Sequence, residues 1–306
     1  MARTIEEYLA ELRGQLAGED PALVQDALYD AEEFLRNEMA AAAATADPAT
    51  GGDSAAAFAL AVEQYGTPEE VAAAYRDAEI TVSRALRAPA PRQQRSWLGS
   101  FFGIVADSAA WGSLFYMLLA LATGTLYFTL VVTGLSMSLG LAVLIIGIPF
   151  FLLFVAVTRA VSLAEGRLIE ALLGERMPRR PRLAPASTGE GMVARVKAWL
   201  TDYRTWTTML YMAFQLVLGT VYFTIVVTGL ATALALIAAP FVQVFTDIPM
   251  FWWGGYAHEL HAWAMPFSIL FGVLAGVITL HICKLVGRLH AAYAKVMLVG
   301  RFGDAA

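Results

Sequence analysis

The chain has 306 residues, 58% of them hydrophobic and 15% charged, with a net charge of −5 and a mean hydropathy of +0.59. That is more apolar than a soluble globular chain, and its one cysteine, Cys283, excludes an intramolecular disulfide and a cysteine metal cluster. Residues 1–80 hold 4 basic and 17 acidic side chains (net −13) and the remainder 17 and 9 (net +8), so the acidic head disfavours direct binding to nucleic-acid phosphate.

The N-terminal stretch MARTIEEYLAELRG is acidic and amphipathic, with no apolar core or cleavage pattern, so it does not read as a signal peptide. Ile5, Tyr8, Leu9, Leu12 and Leu16 share one face of a first helix. Pro21 opens a second, with Leu23, Val24, Leu28, Phe34, Leu35 and Met39 inward, and AAAAATADPATGGD ends it in a loop. A third helix is predicted over roughly 54–65. Gly66 stops it, and Thr67-Pro68-Glu69-Glu70 supplies an N-cap, a proline at the first helical position and a glutamate at the third. This is a capping box, and the fourth helix should turn Val71, Ala74, Tyr75 and Ala78 inward. Residues 1–83 read as a small acidic helical domain. Residues 84–100 follow as a basic, proline-bearing juxtamembrane linker beside an anionic leaflet (RALRAPAPRQQRS).

Four apolar spans are predicted near 112–135, 138–158, 207–230 and 265–284, each long enough for a bilayer core of roughly 20 helical residues. Two outer loops result, a tight one near 135–138 and a long one at 242–264. None of the 21 Lys and Arg falls in either, so both termini are expected on the cytoplasmic side. Cys283, near the inner end of the last span, reads as a buried apolar side chain.

The spans contain a copy. GTLYFTLVVTGL at 124–135 returns as GTVYFTIVVTGL at 219–230, and 14 of the 25 residues from 111 to 135 equal those 95 positions later. At the same offset Asp107 matches Asp202, a helix cap, and Trp111 matches Trp206, an interfacial anchor. The segment 159–174 resembles 285–300, both amphipathic helices leaving the membrane. The chain is therefore expected to hold two parallel repeats, 101–177 and 193–306, around a cytoplasmic loop 178–192. An even number of spans per repeat implies a pseudo-two-fold axis along the membrane normal. The expected fold class is all-α, a small cytoplasmic bundle plus a polytopic membrane domain.

Thr125, Thr129 and Thr133 recur every four residues, as do Thr220, Thr224 and Thr228. Each set shares a helix face, either as simple packing or as a polar seam between the repeats. Gly272 and Gly276 form a GxxxG pair, expected at a close helix contact. The long outer loop concentrates aromatics, with Trp252 and Trp253 adjacent, and carries His258, Glu259 and His261. It reads either as an interfacial aromatic belt or as a sensing surface for a hydrophobic ligand or for protonation of the histidines. The two histidines lie three apart without HExxH spacing or a third ligand, so no metal site is expected. No nucleotide, hydrolase or metal motif is present. We expect no enzyme activity and no cofactor.

Two resemblances follow from these residues. The head, IEEYLAEL…AVEQYGTPEEVAAAY, resembles the HTH-associated α-helical signalling domain over roughly residues 3–80, through the Gly66–Ala72 turn-helix. The membrane half, Asp107 to Gly300, resembles the bacterial "putative sensor" transmembrane domain, through the Asp-x-x-x-Trp start at 202–206, a turn at Pro240 and the exit at 289–300. Many relatives of that domain precede a histidine kinase, and this chain stops at Ala306, so no kinase output is expected. The resemblance implies a signalling protein of the bacterial cytoplasmic membrane whose head meets a cytoplasmic protein partner, such as a PadR-type transcription factor. Membrane lipids, and possible homo-oligomer contacts, complete the expected partners. Two other classes stay open: a carrier or binder of a lipid or hydrophobic molecule at the repeat interface, and a scaffold subunit of a larger membrane complex.

Overall fold

The computed structural model describes residues 4–45, 54–86, 97–144, 146–180, 199–246, 249 and 251–299. Most of the 84–100 linker and of the 178–192 loop lies outside these residues. The described chain is helical apart from one short hairpin.

The head contains α1 (Ile5–Gln15), α2 (Pro21–Thr45), α3 (Ser54–Tyr65) and α4 (Pro68–Leu86). Thr4 caps α1 by accepting from Glu7 N at 3.2 Å. The capping box ahead of α4 is closed in both directions. Glu70 N donates to Thr67 Oγ1 at 3.3 Å, and Thr67 N donates to Glu70 Oε2 at 2.8 Å. The Thr67 N–H and the Thr67 hydroxyl, which donates to Glu70 Oε2 at 2.9 Å, hold the Glu70 carboxyl below its ordinary range. Tyr8, Leu12, Leu16, Leu23, Leu28, Leu35, Phe58, Val71 and Ala72 form the core. The fourth helix differs from the expected register, because Ala72 is buried while Ala74 and Ala78 are exposed. The Tyr75 hydroxyl donates to Asp30 at 2.7 Å, which turns α4 so that its 71–72–75 edge faces α2.

After the short α5 (Trp97–Phe102) and a 3-10 turn, Gly103–Ala106, come four long helices: α6 (Ser108–Leu141), α7 (Gly147–Leu173), α8 (Tyr203–Thr246) and α9 (Met265–Ala294). A π-helical turn, Lys295–Val299, extends α9. These four helices are long and apolar enough to cross a membrane. They run past the expected span ends. α6 continues through 135–138 to Leu141 and the chain turns at 142–144, while α7 and α9 pass unbroken through 158 and 284 into the segments expected to leave the membrane. In an apolar medium a helix keeps its backbone bonds satisfied, so an unbroken helix costs less than a bend.

Pro240, expected at a turn, lies inside α8. Proline offers no N–H to the carbonyl four residues back. The freed Leu236 carbonyl accepts from Ser268 Oγ of α9 at 2.7 Å. The long outer segment is shorter than expected, since α8 reaches Thr246, and it folds into a hairpin. Phe251–Trp253 pairs antiparallel with Tyr256–His258 around Gly254 and Gly255, both at positive φ (59° and 82°), the two-residue turn that matches strand twist. Gln243 pins the segment after it, bonding both Leu260 N at 2.7 Å and Leu260 O at 3.0 Å.

α6 and α8 make the most extensive contact, and it is reciprocal. A Cβ on Gly124 would stand 2.5 Å from Gln215 O, and one on Gly219 would stand 2.2 Å from Ala120 O. Ala120 and Gln215 are themselves 95 positions apart, as are the two glycines. The helix starts match too. Asp107 accepts from Ala109 N at 3.0 Å and Asp202 from Arg204 N at 3.2 Å. The Trp111 indole donates to Val105 O at 2.8 Å and Trp206 to Leu200 O at 2.9 Å.

Candidate functional site

All four long helices meet at one buried polar cluster. α7 contributes Glu165, which has no exposed surface. α6 contributes Tyr116 and Tyr127, α8 contributes Tyr211, Gln215 and Tyr222, and α9 contributes His290. Tyr116 donates to Glu165 Oε1 at 2.6 Å, Tyr211 to the same oxygen at 3.0 Å, and Tyr127 to Oε2 at 2.8 Å. His290 Nε2 lies 2.6 Å from the Tyr116 hydroxyl and 3.1 Å from that of Tyr211, while Nδ1 lies 3.2 Å from the Tyr222 hydroxyl. Gln215 Nε2 donates to Tyr116 at 3.0 Å.

Repetition builds this cluster. Tyr116 and Tyr211 are equivalent in the two copies, as are Tyr127 and Tyr222. Tyr127 reaches Glu165 on α7, and Tyr222 reaches His290 on α9. The copied stretch repeats its buried edge: Tyr116 and Tyr211 each reach both Glu165 and His290, whereas Tyr127 and Tyr222 diverge to one of them each. Tyr116 stands nine residues beyond Asp107 and Glu165 eight before Leu173. At 1.5 Å per residue both sit roughly 12–14 Å inside the helix ends, level with one another at the end that bears the head.

Counting protons shows what the cluster can do. Each tyrosine has one proton. With Tyr116, Tyr211 and Tyr127 donating to Glu165, His290 Nε2–H donates to the Tyr116 oxygen, and Nδ1 accepts from Tyr222. A second proton on His290 reverses only the Tyr222 bond, Nδ1–H now donating. Each of these bonds keeps a donor and an acceptor in both states. Among the described residues no Lys or Arg pairs with Glu165. An ionisable group held inside membrane-length helices is expensive, which makes this cluster the candidate functional site.

The cluster connects to the head. Five residues beyond Glu165, Glu170 pairs with Arg179 at 2.6 Å. Five residues beyond His290, Lys295 pairs with Asp20, just ahead of α2, and with Glu175, both at 2.6 Å. Asp26 of α2, 5% exposed, accepts from the backbone N–H groups of Arg179 and Arg180 at 2.8 and 2.9 Å. Arg180 pairs with Asp30 at 2.8 Å, and Gln25 donates to Arg180 O at 2.8 Å. Burial raises the Asp26 carboxyl above its ordinary range, against the pull of those two N–H donors and Arg176.

The residues singled out from sequence lie elsewhere. Thr125, Thr129, Thr133, Thr220, Thr224 and Thr228 are exposed, not set between the helices. Thr125, Thr129, Thr220 and Thr224 donate to the carbonyl four residues back, each at 2.8 Å, and such self-satisfied hydroxyls tolerate an outward face. Gly272 and Gly276 do pack α9 on α8, against Ile237 and Ala233, and Cys283 is buried. Trp252 and Trp253 form most of β1, and His258, Glu259 and His261 are exposed at the far end of the helices from the cluster. Among the described residues no group of His, Cys, Asp and Glu could hold a metal ion.

The decisive comparison is with protein families: the "Putative sensor" family model matches residues 116–298. The chain belongs to that family. The matched segment runs from Tyr116 past His290 and holds the whole cluster, so the polar meeting point of the four helices lies inside the Putative sensor domain. The α1–α4 head lies outside it. No curated protein and no solved structure matches the chain.

Proposed function

We propose that this chain is a membrane sensor without catalytic output of its own, which passes an envelope or membrane signal to a cytoplasmic protein through its acidic head. The observation that carries this reading is the pair of five-residue steps, Glu165 to Glu170 and His290 to Lys295, joining the buried cluster to the head contacts. A shift of α7 against α9 changes the cluster and moves Lys295 and the 176–180 segment together. The head is then released from its dock, and the head face that holds Asp20, Asp26 and Asp30 becomes free for a partner. Such rigid-helix displacement is an established way to switch between packed states. The absence of positive charge from the outer loops supports both termini in the cytoplasm of a bacterial inner membrane. The reciprocal Gly124 and Gly219 contacts support two parallel repeats, with the head, 1–83, as output. By the resemblance of the head, the partner is a PadR-type regulator.

The test is co-purification of the full chain from gently solubilised native membranes, comparing wild type with Arg180→Ala/Lys295→Ala, which removes the partners of Asp30 and Asp20 and leaves the head face intact. The reading predicts a cytoplasmic protein whose yield rises several-fold in the undocked variant. An unchanged protein set at unchanged yield contradicts it.

A second reading, a binder of hydrophobic molecules, is favoured by an apolar recess of about 540 Å³ between α8 and α9, where Tyr222, His290 and Tyr293 meet Phe214 and Leu289. Saturable quenching of aromatic fluorescence by a brominated fatty acid, lost in Phe214→Ala, would support it. No quenching would remove it.

A further inference from the structure

A second cavity lies at the junction of the head with the membrane helices. It measures about 80 Å³ and lies between α7, α8, Leu298 of the π-helical turn, and the segment Met177–Pro178, with Gln25 of the head at its edge. By the ~10–15 Å³ that a single water takes on this scale, it holds several waters or one small tetrahedral group.

Its polar lining is cationic and hydroxylic: Arg159 and Ser162 from α7, and Arg204, Thr205 and Thr208 from α8. One carboxylate, Asp202, also lines it. Arg159 pairs with that carboxylate, Nη2 lying 3.4 Å from Asp202 Oδ2 and 3.4 Å from Thr205 Oγ1. At the equivalent start of the first repeat, Lys284 touches Asp107 directly. The Arg204 guanidinium is further from satisfaction. Its Nε is buried and has no hydrogen-bond partner among the described residues. Its carbon lies 5.5 Å over the Tyr203 ring. A buried charged donor requires an acceptor, and no described residue bonds Arg204 Nε.

We infer that this cavity is a binding site for a phosphate group, held by the guanidinium groups of Arg159 and Arg204 and the hydroxyls of Thr205 and Thr208. Guanidinium pairs match phosphate oxygens in geometry and charge. The site sits one turn from the Trp206 anchor, at the level where lipid headgroups lie. The group therefore comes either from an anionic phospholipid headgroup or from free phosphate. Gln25 lines the same cavity and bonds Arg180 O, so the bound group braces the head against α7 and α8. The site stands whether or not the chain is a sensor.

The test uses the full chain, delipidated in maltoside micelles, with the thermal midpoint followed by tryptophan fluorescence. Inorganic phosphate is titrated against chloride at equal ionic strength, and phosphatidylglycerol against phosphatidylcholine. We expect a saturable rise in midpoint with at least one of the two. Arg204→Gln should weaken half-saturation by about tenfold or more, the scale of one lost charge-assisted bond, and Arg204→Lys should weaken it less. A response to phosphatidylglycerol alone assigns a lipid headgroup, and a response to phosphate alone assigns the free anion. Either supports the site. No saturable rise in the wild type overturns it, whatever the variants do, and so does an unchanged half-saturation in Arg204→Gln.

Discussion

Replacing Glu165 by Leu should expose how much of the membrane domain's stability runs through the buried cluster. The carboxylate accepts three hydroxyls, from Tyr116 at 2.6 Å, Tyr127 at 2.8 Å and Tyr211 at 3.0 Å. A buried hydroxyl left without an acceptor costs about 1–3 kcal/mol, although bonds inside membrane domains average nearer ~0.6 kcal/mol in measured cycles. Once the imidazole proton moves to Nδ1 and donates to Tyr222, Tyr116 or Tyr211 can turn its proton toward His290 Nε2, but Tyr127 has no such alternative among the described residues. The loss should therefore be about 2–4 kcal/mol. A cycle with Tyr127→Phe isolates one bond. Tyr127→Phe should cost about 1–2 kcal/mol in the wild type and almost nothing beside Glu165→Leu. The assay is equilibrium unfolding of the full chain in mixed micelles. A coupling below about 0.3 kcal/mol, within the additivity of independent sites, would refute the hydrogen-bonded cluster.

Three further outcomes follow from other parts of the chain. Cysteine labelling in intact cells should leave a residue at Ala90 protected and modify one at Gly255, and the reverse pattern overturns the orientation. A fragment of residues 1–83 should fold alone, with Thr67→Ala costing about 1 kcal/mol through the lost cap. Because Glu70 is held below its ordinary 4.5, its contribution is present above that pH and is lost as pH falls through the depressed value. Thr67→Ala should flatten that acid limb in circular dichroism. Asp26 has the opposite sign. Its carboxyl is raised above 3.8 in the docked state, so its contribution to docking is full below that pH and declines as pH rises through the raised value. Asp26→Asn should therefore keep the head docked at pH 7 and remove this pH dependence, while Asp26→Ala, which leaves two N–H donors without an acceptor, should undock it. Limited proteolysis of the full chain reads both.

Much of the fold was legible, because its signals are periodic. The head helices, the Thr67–Glu70 capping box and the four apolar runs rest on spacing alone. The cluster was not, and Glu165 shows why. Arg159, Glu165, Arg167 and Glu170 give the 159–174 segment the pattern of an amphipathic helix in water, so the sequence predicts a span ending at 158. Only the packing of α7 against α6 and α8 reveals that one of those charges faces inward while Arg167 faces out. The copied tyrosines were the available signal. Tyr116, Tyr127, Tyr211 and Tyr222 repeat as faithfully as the threonines, and a buried hydroxyl needs a partner outside its own helix, whereas threonine can use the carbonyl four residues back. The hairpin at 251–258 was hidden among aromatics whose composition fits a membrane belt equally well, although Gly254-Gly255 is a strong turn pair.

The most direct test of coupling between the buried cluster and the head is a distance measurement between spin labels at Asn37 of α2 and Arg167 of α7, both exposed, in a Cys283→Ser background reconstituted in nanodiscs. Wild type should give one narrow distance distribution. Asp26→Ala/Asp30→Ala should broaden and lengthen it, and Glu165→Leu, with no change in the dock itself, should shift it in the same direction. If Glu165→Leu superimposes on wild type while the dock variant separates, the head is tethered but not coupled, and the cluster does not signal to it.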